Sequence, residues 1–270
     1  MPRLAVDGTE LHYERRGAGP ALLLVQGMGA NALHWGEPLL SALERDFELL
    51  VYDHRGIGRS GPCNGDVTIA GMAADALALL DALGIAAAHV LGISMGGMVA
   101  QELALAVPER LRTLTLGCTS CGGTQSRPTA QEVVQRLTAA ALTRDLDRLL
   151  RAGFELVVSP AYAAAPAHYA AFAAAARHHP ASLPMLLDQK AAVEAHDTYA
   201  RLRGLRVPTL VIHGTADAIL APINGDLVAS LIAGARLELL QGAGHLFFWE
   251  QPQRTAELVR EFALSGEVPS

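Results

Sequence analysis

Lysine is almost absent from this sequence, cysteine is scarce, aromatic residues are few and no long apolar run occurs. Lys190 is the only lysine, and 21 Lys and Arg face 27 Asp and Glu, a net charge of −6. Without a basic stripe there is no electrostatic footprint for nucleic acid, so no nucleic-acid partner is expected. No segment approaches the ~20 consecutive apolar residues that span a bilayer. The alanine-rich stretch over 161–176 is broken by Pro166 and His168 and followed by Arg177. The opening Met1-Pro2-Arg3-Leu4 carries no apolar signal core. The expectation is a cytoplasmic protein with no membrane partner.

The three cysteines are Cys63, Cys118 and Cys121. An odd, low count predicts reduced thiols. Cys118-Thr119-Ser120-Cys121 has C-x-x-C spacing, but a zinc site would need a second ligand pair and a redox site a thioredoxin-like context. Neither is visible, so no metal site is expected. The pair does lie at the exit of a predicted strand. No histidine pair has helical ligand spacing backed by a carboxylate either.

What the sequence has in quantity is apolar side chain: 51% of 270 residues, enough for one large core with an inserted subdomain. Leu4-Ala5-Val6, a turn at Asp7-Gly8 and Leu11-His12-Tyr13-Glu14 predict a β-hairpin. Ala21-Leu22-Leu23-Leu24-Val25 is a continuous apolar run of strand length, the pattern of a strand buried on both faces. It ends in Gln26-Gly27-Met28-Gly29. A helix over 39–45 and a strand over 47–52 follow, then the glycine- and charge-rich loop Asp53-His54-Arg55-Gly56-Ile57-Gly58. Helical spacing over 69–83 stops at Gly84. Next come a strand through His89-Val90-Leu91, a helix from Ser94 to 107 stopped by Pro108, and a strand over 111–116. Between 129 and 206 the signals are helical only, over 130–141, 145–152, 167–178, 183–193 and 199–202. Alternation resumes with a strand over 208–213, a helix over 225–233, a strand over 236–240 and a last helix from Pro252 to 264.

Strand–helix alternation of this kind predicts an α/β fold, a mostly parallel eight-stranded sheet flanked by helices. The predicted organisation is a first core part (1–121), a helical insertion (122–206) and a second core part (207–270). A helical block between two strands of one sheet must sit at a strand end, and ligands bind open α/β sheets at the carboxyl ends of strands. The insertion is therefore placed to cover whatever site lies there.

Gly92-Ile93-Ser94-Met95-Gly96 fits the pattern G-x-S-x-G between a strand and a helix. Two residues without Cβ let the backbone pinch around Ser94 and hold it in a strained conformation. The helix that follows turns its free N–H groups and positive end toward the same spot. A neutral serine is a weak nucleophile and needs a base beside it. Without one, the same residues are a glycine-rich turn whose serine caps a helix.

Five features in order resemble the α/β-hydrolase family: the turn after the third strand, the loop over 53–61, the elbow over 92–96, the turn over 214–217 and the turn over 242–245. The insertion is similar to the family's cap. The resemblance implies a nucleophile–acid–histidine order, which Ser94, Asp217 and His245 fit. Asp217 would hold the imidazole in the right tautomer and stabilise its cation. As a plain turn aspartate it would bond its own backbone instead. Competing acids Asp188, Asp197 and Asp226 fall on predicted helices or in the insertion. The family's other acid position, after the strand ending near Leu116, holds Gly117-Cys118-Thr119.

The resemblance also implies an oxyanion hole formed by the N–H of Met95 and the N–H of Met28, where losing one donor typically costs about 2.7–4 kcal/mol. The family commonly has His-Gly where this chain has Gln26-Gly27, so a shifted loop detail with retained activity is expected. The Asp53-His54-Arg55-Gly56 loop reads as structural packing beside the elbow. Gly27, Trp35, Leu220 and Phe247 are candidate substrate-binding residues, with His34 and Leu246 nearby; Trp35 and Phe247 suit either pocket lining or ordinary packing. The implied activity is acyl transfer to water: a serine esterase or lactonase acting on a small, fairly apolar ester or lactone, without cofactor. Alternatives are a ligand-binding receptor or partner-binding protein on the same fold, a carbon–carbon bond hydrolase, or a cofactor-free perhydrolase.

Overall fold

A computed structural model describes residues 2–6, 8–63 and 65–265. The predicted hairpin turn at Asp7 and the Met1 end of the N-terminal segment lie outside the described residues. Eight strands form one sheet: β1 (Arg3–Val6), β2 (Thr9–Arg16), β3 (Ala21–Val25), β4 (Glu48–Tyr52), β5 (Ala88–Ile93), β6 (Leu111–Gly117), β7 (Thr209–Gly214) and β8 (Arg236–Leu240). Their spatial order is β1-β2-β4-β3-β5-β6-β7-β8. The β1–β2 and β2–β4 pairs are antiparallel and every other pair is parallel. This is the α/β-hydrolase fold that the alternation and the motifs predict.

Side-chain alternation explains why the central strands read as unbroken apolar runs. In β3, Leu23 and Val25 enter one core cluster while Leu22 and Leu24 enter the other. The same split separates Leu50 and Tyr52 from Leu49 and Val51 in β4. Both faces of the sheet are therefore buried, and both parities must be apolar. The first cluster packs beneath α2 (Ile69–Ala82) and α3 (Met95–Ala106); the second packs beneath α1 (Glu37–Leu43) and residues at the C-terminal end of the chain. Thr68 starts α2 by accepting a bond from Gly71 N–H at 2.9 Å.

Five helices stand between β6 and β7, which are sheet neighbours: α4 (Gln131–Leu142), α5 (Leu146–Val157), α6 (Pro160–Ala163), α7 (Pro166–Arg177) and α8 (Leu183–Ala195). The expected 145–152 helix extends through Gly153 because Phe154 and Leu156 are buried and reward its continuation. After β7 come α9 (Ile223–Leu231), a single turn α10 (Phe247–Glu250) and α11 (Pro252–Leu264). Among the described residues no helix is long and apolar enough to cross a membrane.

Candidate active site

Strand β5 ends at Ile93 and α3 begins at Met95, so Ser94 alone makes the turn, at φ 56° and ψ −121°. A side chain there is strained and must be held from outside. The end of strand β6 and the residues after it do this: Ser94 N–H donates to Gly117 O at 2.9 Å, and Thr119 Oγ1 donates to Ser94 O at 2.7 Å. The flanking glycines are required by close approach. A Cβ on Gly92 would sit 2.3 Å from Gly96 O, and one on Gly96 would sit 2.1 Å from Val25 O. Gly96→Ala should therefore push α3 off β3 and cost at least about 1–3 kcal/mol, as overpacking does. A thermal melt measures it, and an unchanged melting temperature would contradict this packing.

Asp217 and His245 lie in the turns after β7 and β8. These strands pair with Gly214 opposite Leu240, which brings the two turns together. His245 Nδ1 is 2.8 Å from Asp217 Oδ2. An ionised carboxylate only accepts, so Nδ1 carries the proton and Nε2 is left as an acceptor. Asp217 Oδ1 accepts from Ile219 N–H at 2.8 Å and Leu220 N–H at 2.9 Å. Oδ2 also accepts from His213 Nε2 at 3.1 Å. That nitrogen is 2.8 Å from Leu220 O, a second acceptor, so it too must carry its proton.

Burial opposes the charge on Asp217, yet the adjacent His245 and the His213 donor outweigh it and hold the carboxyl well below the usual carboxylate range. Burial likewise opposes an imidazolium at His245. The neighbouring carboxylate outweighs it, and the ring is raised well above an ordinary histidine. The Cys118 thiol also touches the His245 ring, and burial pushes that thiol up, so it stays protonated.

The Gly27–Gly29 loop lies directly on the serine: a Cβ on Gly27 would be 3.3 Å from Ser94 Cβ. Two of its N–H groups are engaged. Gly27 N–H donates to Gln26 Oε1 and Gly29 N–H to Gln189 Oε1, each at 2.8 Å. Between them, Met28 N–H has no acceptor among the described residues, and neither has Met95 N–H at the first position of α3. Met95 is buried, and the Met28 side chain is half exposed. Gln26 thus serves its own loop backbone.

Among the candidate substrate residues, Gly27 is beside Ser94, and the Leu220 backbone accepts from His213 and donates to Asp217. Phe247 is fully buried, its ring edge against Gly117. Trp35 is fully buried on Phe248, ring centroids 5.5 Å apart. His34 takes part in capping the short turn Ala32–Trp35, its Nδ1 accepting from Asn31 N–H at 3.2 Å. The 53–58 loop is scaffolding: Asp53 accepts from Ala32 and Arg59 N–H, His54 Nε2 donates to Gln26 O at 3.0 Å, and Arg55 pairs with Asp75.

The inserted helices touch the loops that carry the site. Asn31 Nδ2 donates to His178 O at 2.7 Å after α7. Leu246 N–H donates to Val157 O at 2.7 Å at the end of α5. Glu250 Oε1 accepts from both Gly244 N–H and Ser159 N–H, clamping the His245 turn to the insertion. His213, Cys118, Glu250 and Gln189 all act here, and sequence reasoning missed their contacts. Only His213 had a local signal, its place just before the Gly214–Asp217 turn. Among the described residues no group of three or more His, Cys, Asp or Glu is arranged to hold a metal ion.

Residues 20–252 match the family model described as the alpha/beta hydrolase fold. A protein of Azorhizobium caulinodans, provisionally named carbamate hydrolase RutD, is 33% identical over 99% of both chains. A hydrolase from Pseudomonas aeruginosa is 36% identical with a TM-score of 0.83, covering 97% of each chain. The enol-lactonase from Burkholderia xenovorans is 30% identical with a TM-score of 0.83, over 97% of this chain and 99% of that one. Strand order, elbow and family match agree: this chain belongs to the α/β-hydrolase fold family.

Proposed function

We propose that the chain is a serine hydrolase cleaving a carboxylic ester or lactone of a small, fairly apolar substrate through an acyl-enzyme on Ser94. The observation that carries this reading is the tautomer imposed on His245. Asp217 accepts the Nδ1–H bond, so in the neutral ring Nε2 is the acceptor that a general base needs. In the reading, Ser94 Oγ attacks the carbonyl carbon as His245 Nε2 takes its proton. The oxyanion is received by the two unengaged N–H groups of Met28 and Met95. His245 then protonates the leaving alkoxide, and water repeats the cycle on the acyl-enzyme. The segment 122–206 serves as a cap, since its helices bond the loops bearing Gly29, Asn31 and His245.

The enol-lactonase neighbour supports ester or lactone chemistry. The relative named for carbamate hydrolysis supports a second substrate class, because a carbamate carbonyl needs the same nucleophile and oxyanion donors. The test is hydrolysis of p-nitrophenyl esters from acetate to decanoate, with an enol-lactone and an alkyl carbamate alongside. Multiple turnover on short esters or the lactone is expected, falling with acyl length. Turnover of the carbamate alone would overturn the ester reading, and no turnover of any of them would favour a receptor-like role.

A further inference from the structure

From the hydrogen-bond pattern beneath helix α8 we infer that Gln189 is a specificity-determining residue: its side-chain NH2 donates to a second, neutral oxygen of the substrate, close to the scissile carbonyl. The inference rests on the acyl-transfer reading above. Helix α8 starts at its Ser182 cap and turns Met185, Gln189 and Ala192 inward. Gln189 is the one polar member of that buried stripe and is fully buried. The helix lies against the loop beside the serine: Leu186 Cδ2 is 2.5 Å from where a Gly29 Cβ would be.

Gln189 Oε1 accepts from Gly29 N–H at 2.8 Å. Only a carbonyl oxygen can do this, so the amide orientation is fixed by chemistry, and the nitrogen is the atom turned elsewhere. Nε2 is buried and has no hydrogen-bond partner among the described residues. Buried donors are nearly always paired, so an NH2 left unpaired one amide's width from the oxyanion loop calls for an acceptor that arrives from outside. Gly27 of the same loop lies against Ser94, so a substrate positioned for attack by Ser94 would lie along this loop. An uncharged amide suits a neutral acceptor there, such as an ether, a ring oxygen or a second carbonyl.

Gln189→Glu and Gln189→Met separate holding the loop from binding substrate. Glutamate keeps an oxygen for Gly29 N–H and replaces the NH2 donor with an acceptor; methionine keeps the length and removes both. Each variant is compared with the unaltered protein on two matched pairs: p-nitrophenyl methoxyacetate with p-nitrophenyl butyrate, and 2-methoxyethyl acetate with butyl acetate. The ether-bearing member of one pair should lose about five- to tenfold in KM in both variants, the worth of one neutral hydrogen bond. The readout is the ratio of KM between the two members of that pair, because both variants also disturb the Gly29 loop and the all-carbon partner measures that disturbance. The same ratios can be read without turnover, as protection of Ser94 from a fluorophosphonate. Equal effects on both members of each pair, or none, would overturn the inference and leave Gln189 a loop support. An unaltered protein that neither turns over these esters nor labels at Ser94 would remove the hydrolase reading, and this inference with it.

Discussion

Under the proposed acyl-enzyme mechanism, replacing Ser94 by alanine should lower kcat on any accepted ester by about six orders of magnitude, the cost typical of removing a triad nucleophile. The fold should not notice. The Ser94 side chain makes no capping bond to α3, and the turn is held through backbone atoms by Gly117 and Thr119. Alanine at φ 56° bears the same strain as serine, so the melting temperature should stay where it was. Kinetics and a thermal melt on the same preparation check both halves. Turnover near the original rate would mean that the elbow is only a strand–helix turn.

Asp217→Asn should cost about four orders of magnitude in kcat, through the tautomer. Asparagine can keep its oxygen on the Ile219 and Leu220 N–H groups. Its NH2 then faces His213 Nε2–H and His245 Nδ1–H, donor against donor. His245 is relieved by moving its proton to Nε2, which turns a base into a donor toward the serine. The pH dependence carries an independent sign. The base must be neutral, and Asp217 raises the His245 pKa, so kcat/KM should be lost as pH falls through a midpoint above 6.5. Without the carboxylate the largest raising influence on the ring is lost while burial still lowers it, so the midpoint of the residual activity should move to lower pH. A pH–rate profile of both proteins decides this. An unmoved midpoint would mean that His245 is not the titrating base.

The fold was largely legible because both faces of the sheet are buried. Leu22, Leu23, Leu24 and Val25 announce a strand whichever way they point, and β8 and α11 begin and end where the pattern and Pro252 put them. The single turns at Ala32–Trp35, α6 and α10 were not legible. They are too short for periodicity and are fixed by contacts distant in sequence, such as Trp249 Nε1 to His34 O at 2.7 Å. The positions of Ser94, Asp217 and His245 after strands were legible because each follows an apolar run in a glycine-bearing turn. The contacts of Gln189 and Glu250 were not: a glutamine in an ordinary helix gives no sign that its partner is Gly29. Cys118 was noticed for its spacing to Cys121, whereas its structural distinction is contact with His245.

The most direct test is reaction with a fluorophosphonate, followed by mass spectrometry of the peptide that carries the adduct. If Ser94 is the nucleophile of the acyl-enzyme proposed above, it should take up one equivalent, with ester turnover falling in proportion. Asp217→Asn should label far more slowly. Labelling at another residue, or none at Ser94 in a folded and unaltered protein, would contradict the account at its centre.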